Sequence, residues 1–142
     1  MNEAMEEQTP YDMIGGEAPL RALVDRFYDL MLLEPEFALL RSLHPEDLSE
    51  ARNRLFWFLS GWLGGPQLYM ERFGHPRLRA RHLPFSIGEA ERDQWVKCMV
   101  RAMEEMDVNE GLRLRLGVNF FKTADFMRNR DNKIVIGKSD NS

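Results

Sequence analysis

The segment GHPRLRARHLPF, residues 74–85, decides how this sequence is interpreted. It forms the second half of a region that begins at Pro66, and between residues 66 and 84 three prolines and a glycine leave room only for short helical pieces, such as 78–82. A connection this long is uncommon in a compact domain unless it is functional. Aromatic and aliphatic residues alternate here with arginines. This pattern favours a binding loop for a ligand that is flat and apolar with acidic edges.

On both sides of this loop the apolar residues recur at helical spacings of three and four. The pattern predicts helical segments over 11–14, 20–33, 37–43, 48–62 and 89–106. Prolines, glycines and the His44-Pro45 pair separate these segments, as is typical of helix ends.

The last long segment, residues 110–127, allows two interpretations. Its apolar residues alternate, which is typical of a strand, but the segment is long and has no evident partner strand. We therefore predict a helix, whose buried face contains either Leu114, Val118 and Phe121 or Leu116, Phe120 and Met127. The whole chain is accordingly predicted to be all-α.

The composition is that of one soluble domain. The 142 residues are 44 % hydrophobic and 30 % charged. No apolar run approaches the roughly 20 residues that span a bilayer, and the acidic N-terminus does not resemble a secretory signal. A net charge of -4 argues against a dedicated nucleic-acid binder. Cys98 is the only cysteine, so no internal disulfide can form, and we expect a cytoplasmic protein.

Three regions are expected along the chain. Residues 1–10 are polar and predict a flexible N-terminal arm. The folded domain is predicted over 11–128. Residues 129–142 are polar apart from Ile134-Val135-Ile136 and predict a flexible C-terminal tail.

The residues alone leave the chemistry open. The sequence contains no phosphate-binding loop, dinucleotide fingerprint, nucleophile elbow or zinc-protease motif. A zinc site built from His44, His75 and His82 would match no familiar spacing, and a lone histidine is more often a surface residue than a ligand. Cys98 is most simply interpreted as a small buried thiol.

Several blocks of sequence, taken together with residues 74–85, resemble the second group of the truncated haemoglobins. In chain order they are Tyr11-Asp12, Gly15-Gly16, Arg26-Phe27-Tyr28, His44-Pro45-Glu46-Asp47, Gly64-Gly65-Pro66, Tyr69 and Glu91-Arg92-Asp93-Gln94-Trp95. The resemblance runs from about residue 10 to about residue 127 in the order of the family. It implies a truncated globin fold, in which a two-over-two sandwich of helices surrounds a haem.

The resemblance also implies roles for particular residues. His82 corresponds to the proximal histidine, a neutral imidazole that ligates iron. Tyr28 and Trp95 correspond to polar side chains that point at the bound gas, and His44 is a third candidate for this distal pocket. Ala51 stands where many globins place a distal histidine.

The remaining residues expected at the cofactor, haem b (iron protoporphyrin IX), line its faces and its acidic edge. Leu55 and Phe58 would wall the pocket, and Phe85 would lie near the proximal side. Tyr69, Arg79 and Arg81 are candidates for the propionates, because arginine suits carboxylates. The full cofactor-binding set is Ala51, Leu55, Phe58, Tyr69, Leu78, Arg79, Arg81 and Phe85.

The family resemblance implies binding of dioxygen, carbon monoxide and nitric oxide at ferrous iron, with high dioxygen affinity from distal hydrogen bonds. The alternative is a haem redox enzyme that removes nitric oxide or peroxide with a reductase. A helical interaction module without cofactor is a third, weaker interpretation. The expected assembly is a monomer or a homodimer.

Overall fold

The computed structural model describes residues 8–129, and all regular secondary structure in this range is helical. The helices are α1 (Pro10–Ile14), α2 (Glu17–Leu33), a 3-10 turn (Pro35–Phe37), α3 (Ala38–Ser42), α4 (Ser49–Trp62), α5 (Leu68–Phe73), α6 (Leu78–His82), α7 (Glu89–Glu105) and α8 (Glu110–Phe126). The predicted all-α class is therefore confirmed. Apart from 8–10 and 129, the predicted arm and tail lie outside the described residues.

Two pairs of long helices build the core. Helix α2 packs on α4, and α7 packs on α8, while α2 and α7 join the two pairs. This is the predicted two-over-two arrangement. The short helices α5 and α6 follow α4 in the chain and lead into α7, so α6 lies in the connection between the two layers. Within residues 8–129, no helix combines the length and the apolarity that crossing a membrane requires.

Helix α2 contributes the most continuous part of the core. Helical spacing predicts one apolar face, made of Leu20, Leu23, Val24, Phe27, Tyr28 and Met31, and all six residues are buried. Burying each side chain of this size contributes about 1.5–3 kcal/mol. Opposite this face, Cys98 of α7 is also buried, and its thiol donates to the carbonyl oxygen of Phe27 at 3.2 Å. Burial raises the pKa of this thiol to about 12, so Cys98 is an unreactive structural residue.

Helix α4 differs from the expected single apolar face. Spacing alone predicts one apolar face, made of Leu48, Ala51, Leu55, Phe58, Leu59 and Trp62. Leu48 and Leu59 of this set are buried, as is Phe56, whereas Ala51, Leu55 and Phe58 are only half-buried. The helix therefore has two apolar sides, and protein atoms fully cover only one of them. The half-covered side is the one that the family resemblance assigns to the cofactor.

Helix α8 resolves the ambiguity of the last segment. Leu112, Leu116 and Phe120 are buried, whereas Leu114 and Val118 are more than half exposed. The side chain of Asn109 begins the helix by accepting a hydrogen bond from the Leu112 N–H at 3.1 Å. The strand-like alternation thus arises because both sides of this helix contain apolar residues.

The glycine pair after α4 allows the N-terminal helix to pack closely. The Tyr11 N–H donates to the Leu63 carbonyl oxygen at 2.9 Å, next to this pair. A Cβ added to Gly65 would lie 2.5 Å from the Tyr11 ring, and one added to Gly64, where φ is +97°, would lie 2.8 Å from Thr9. Only glycine leaves room for α1 at this position.

We expect Gly65→Ala to lower the free energy of unfolding by about 1–3 kcal/mol, because its methyl group overlaps the Tyr11 ring. Urea unfolding followed by circular dichroism measures this change. The matched control is Gly117→Ala in α8, whose new Cβ would lie 3.7 Å from Val100, an ordinary contact. This control should raise the free energy of unfolding by about 0.5–1 kcal/mol. Equal stability of the two variants would contradict the packing described.

Candidate functional site

His82 is the last residue of α6, and its imidazole is held in one orientation. Its Nδ1 lies 2.6 Å from the carbonyl oxygen of Leu78, one helical turn earlier. Because a carbonyl can only accept, Nδ1 must be protonated and donate. In the neutral ring the other nitrogen, Nε2, then keeps its lone pair. An imidazole oriented in this way is prepared to ligate a metal through Nε2.

The helix that carries His82 is held mainly by polar contacts. None of the residues of α6 is fully buried. Arg79 donates to the carbonyl oxygens of Phe126 and Arg128 at 2.6 and 2.9 Å, which joins α6 to the end of α8. The Asn129 side-chain amide donates to the carbonyl oxygen of His82 at 3.2 Å.

Tyr28 is buried on α2, with 5 % of its surface exposed. Its ring contacts Phe27, at 5.0 Å between centroids, and His44, at 5.8 Å. No residue in the range 8–129 forms a hydrogen bond with its hydroxyl group. Burial raises the pKa of Tyr28 well above its ordinary value, although the nearby Arg52 guanidinium acts in the opposite direction. The hydroxyl therefore stays protonated and can donate.

Trp95 lies on α7 on the other side of Phe27. Its ring is 5.2 Å from that of Phe27 and 5.4 Å from that of Phe120. The side chain is half-buried, and its indole N–H has no hydrogen-bond partner in the described part of the chain. Phe27 thus separates two polar donors, those of Tyr28 and Trp95, that the protein itself leaves unsatisfied. A donor as deeply buried as the Tyr28 hydroxyl is costly unless a ligand uses it.

His44 follows α3 and is placed beside Tyr28, but its tautomer limits what it can do. Its Nδ1 lies 2.9 Å from the carbonyl oxygen of Leu40, so Nδ1 donates and the neutral ring has only an acceptor at Nε2. Burial lowers the pKa of His44, which favours this neutral form. Gln94 of α7 fixes α3 in place, since its side chain accepts from the Leu40 N–H at 2.9 Å.

The residues expected to line the cofactor occupy three different settings. Ala51, Leu55 and Phe58 share the half-covered side of α4, and the ring of Phe58 lies 6.4 Å from that of Tyr69. Leu78 is half-buried on α6. Phe85 is 43 % exposed in the loop after α6.

The three propionate candidates also differ. Tyr69 is buried, with 7 % of its surface exposed. Arg79 is exposed but uses its guanidinium on the carbonyl oxygens at the end of α8. Arg81 is exposed, and its Nε donates to the Pro76 carbonyl oxygen at 2.7 Å while its guanidinium lies over the Tyr69 ring. Of the two arginines, Arg81 has more donors free within residues 8–129.

Two polar residues near the site were not anticipated from the sequence. Arg52 of α4 forms ion pairs with Asp25 and Asp29 at 3.1 and 2.8 Å, and its guanidinium lies 5.7 Å from the Tyr28 ring centroid. Asn129, assigned to the tail from its polar surroundings, hydrogen-bonds to the loop that follows His82. Both contacts join residues far apart in sequence, so no local signal indicated them.

These observations fit a metal porphyrin. His82 provides a free imidazole nitrogen, Tyr28 and Trp95 provide unsatisfied donors, and α4 provides an apolar side that protein atoms do not cover. A zinc site gains no support, because no group of three or more His, Cys, Asp or Glu side chains in the described residues is placed to hold a metal.

Comparison with known proteins gives a consistent result. The family model described as bacterial-like globin matches residues 9–129. The group 2 truncated hemoglobin YjbI of Bacillus subtilis is 42 % identical over 121 residues, covering 85 % of this chain and 89 % of that protein.

Solved structures agree with this match. The group II 2-on-2 hemoglobin of Agrobacterium tumefaciens superimposes with a TM-score of 0.84 at 45 % identity, covering 91 % of this chain and 98 % of that one. The truncated oxygen-avid haemoglobin of Bacillus subtilis gives 0.79 at 42 % identity, covering 86 % and 100 %. Sequence, fold and site therefore agree that the chain belongs to the bacterial-like globin family, as a group II truncated haemoglobin.

Proposed function

We propose that this globin binds dioxygen at ferrous haem iron with high affinity, through hydrogen bonds from Tyr28 and Trp95. The observation that carries the proposal is the pair of unsatisfied donors on either side of Phe27. The family implies haem-based binding of oxygen and similar gases. The case for high affinity comes from the residues of this chain.

The haem, when bound, supplies a ferrous iron with an open position for dioxygen, carbon monoxide or nitric oxide. In this proposal His82 would hold the iron through Nε2, and Ala51, Leu55 and Phe58 would cover one face of the porphyrin. Leu78 and Phe85 lie toward the proximal side. Arg81, with Tyr69, would face the propionates, because fewer of its donors are in use than those of Arg79, whose guanidinium already binds the end of α8.

Dioxygen differs from carbon monoxide in drawing negative charge from the iron, so donors act on it selectively. A hydrogen bond to a charged group contributes about 1.5–3 kcal/mol, which corresponds to roughly ten- to a hundred-fold in affinity. The Tyr28 hydroxyl and the Trp95 indole can both donate; Tyr28 is buried and Trp95 is half-buried. The similar truncated haemoglobin of Bacillus subtilis is oxygen-avid, which supports the same property in this chain.

His44 has a different role in this proposal. Because its Nδ1–H is used by Leu40, neutral His44 offers Nε2 as an acceptor and cannot donate to a gas ligand. We infer that it restricts movement of the Tyr28 ring, which it contacts edge-on, and leaves the Tyr28 hydroxyl proton for the ligand. No feature of the described residues favours the alternative, a haem enzyme that removes nitric oxide or peroxide, because the same distal groups would serve both activities.

The cofactor form and the setting of the protein are part of the proposal. Haem b is favoured over a covalently attached haem, because the single cysteine rules out the two-cysteine attachment motif. The buried, unpaired Cys98 is compatible with a cytoplasmic location. We also propose that a reductase restores ferrous iron and that the protein is a monomer or a homodimer.

We expect His82→Gly to lose the absorption spectrum of the haem-loaded protein, because the iron loses its imidazole ligand. Added imidazole should restore the spectrum by occupying the space left by the side chain. Absorption spectra of the ferrous and carbon monoxide forms measure both effects. The control is His75→Ala, which removes an exposed histidine of the same loop and should leave the spectrum unchanged. An unaltered spectrum in His82→Gly would mean that another residue binds the iron.

We expect Tyr28→Phe and Trp95→Phe each to raise the oxygen dissociation rate by about tenfold or more, because each removes one donor to a partly charged ligand. His44→Phe should have a smaller effect, since its ring donates elsewhere. Stopped-flow displacement of oxygen by carbon monoxide measures the rates. Tyr11→Phe and Trp57→Phe are matched controls, because Tyr11 packs on Gly65 and Trp57 on Phe73. Unchanged rates in both Tyr28→Phe and Trp95→Phe would refute the donor model.

A further inference from the structure

We propose that Arg79 and Asn129 form a polar latch that positions α6, and with it the imidazole of His82. The latch joins the proximal segment, residues 78–87, to the end of α8. This inference rests on the proposed role of His82 as the iron ligand. It assigns positioning roles to Asn129, which the sequence placed in a tail, and to Arg79, which the sequence placed at a propionate.

Asn129 uses both polar atoms of its side chain on the proximal segment. Its Nδ2 donates to the carbonyl oxygens of His82 and Phe85 at 3.2 and 2.7 Å. Its Oδ1 accepts from the Ile87 N–H at 2.9 Å, and its own N–H donates to the Ile87 carbonyl oxygen at 3.0 Å. One residue thus satisfies backbone groups at the end of α6 and through the loop that follows.

Arg79 makes the reciprocal contact from α6. Its guanidinium donates to the carbonyl oxygens of Phe126 and Arg128 and lies over the Phe126 ring, 5.7 Å from its centroid. Carbonyl groups at the end of a helix lack partners within the helix and favour a positive charge. Each helix end is therefore completed by a residue from the other segment.

The end of α8, to which the latch attaches α6, is itself bonded to the core helix α7. The Asp125 carboxylate accepts from Arg92 of α7 at 2.9 Å and from Arg128 at 2.6 Å. Arg92 is largely buried, with 14 % of its side chain exposed. A chain of hydrogen bonds thus connects α7 to Asp125, Asp125 to Arg128, and Arg128 to Arg79 of the proximal segment.

Within the proximal segment only Ile87, at its far end from α6, is a buried apolar residue, so apolar packing contributes little to the position of α6. Helix α6 has no fully buried residue, and Leu83 is 57 % exposed in the loop just after it. Within α6 the His82 ring is fixed by its bond to Leu78. The ring orientation is thus defined relative to α6, and the position of α6 is defined by the latch. A movement of α6 would displace Nε2 of His82 from the iron.

The test uses two conservative variants of the full-length, haem-loaded protein. Asn129→Asp keeps the shape and the Oδ1 acceptor, but replaces the donors to His82 and Phe85 with a carboxylate oxygen. Arg79→Lys keeps the charge but loses the planar guanidinium that reaches two carbonyl oxygens. Asn119→Asp and Arg115→Lys, which make the same chemical changes on exposed positions of α8, are the matched controls.

Three measurements follow the proximal segment. Hydrogen–deuterium exchange of peptides covering 78–87 should speed up by about tenfold in both variants, while peptides from α2 and α7 stay unchanged. Haem transfer to an excess of apomyoglobin should also become about tenfold faster, because each variant loses hydrogen bonds that hold α6 and His82 in position. The iron–histidine stretching band of the ferrous protein, seen by resonance Raman spectroscopy, should shift or broaden.

Two results would overturn the latch. One is an iron–histidine band and a haem-transfer rate equal to those of the controls in both variants. The other is faster exchange spread evenly over the chain, which would indicate a general loss of stability. Failure of the proposed function is separate, because it would appear as a normal spectrum in His82→Gly whatever the latch variants do.

Discussion

The hydrogen bond from His82 Nδ1 to the Leu78 carbonyl oxygen is the contact on which the rest of the site depends. It determines which imidazole nitrogen carries the proton and therefore which one is free for iron. It also fixes the ring to a helix of five residues that buries none of them completely. A helix this short is not stable by itself in water. The precision of the proximal side therefore comes from the contacts that hold α6 to α8.

On the proposed distal side, by contrast, the important feature is that two hydrogen-bond donors lack partners. The Tyr28 hydroxyl and the Trp95 indole lie in or near the core without partners in residues 8–129. An unsatisfied buried donor costs about 1–3 kcal/mol. Under the proposed function, a ligand that accepts from both donors would recover this energy, and the same donors would raise affinity for a diatomic ligand with partial negative charge. The ring of His44 packs edge-on against that of Tyr28, and its Nδ1–H is already used by the Leu40 carbonyl oxygen.

Much of the fold could be predicted from the sequence, because local periodicity and helix ends are local properties. The bounds 78–82 and the buried face of α2 follow from spacing and from proline and glycine positions. The face of α8 could not be chosen, because both of its sides are apolar. For the site, family blocks named His82, Tyr28 and Trp95, and these roles remain predictions. The links made by Gln94, Arg52 and Asn129 could not be foreseen, since each spans more than twenty residues.

The protonation state of His82 in the folded, haem-loaded protein tests this proximal geometry most directly. Protein labelled with ¹⁵N-histidine, in its diamagnetic ferrous carbon monoxide form, allows the two ring nitrogens to be observed by nuclear magnetic resonance. We expect a slowly exchanging proton on Nδ1 of His82, shifted by its bond to the Leu78 carbonyl oxygen, and no proton on Nε2. A proton on Nε2 of His82 would contradict the assignment of this nitrogen as the iron ligand.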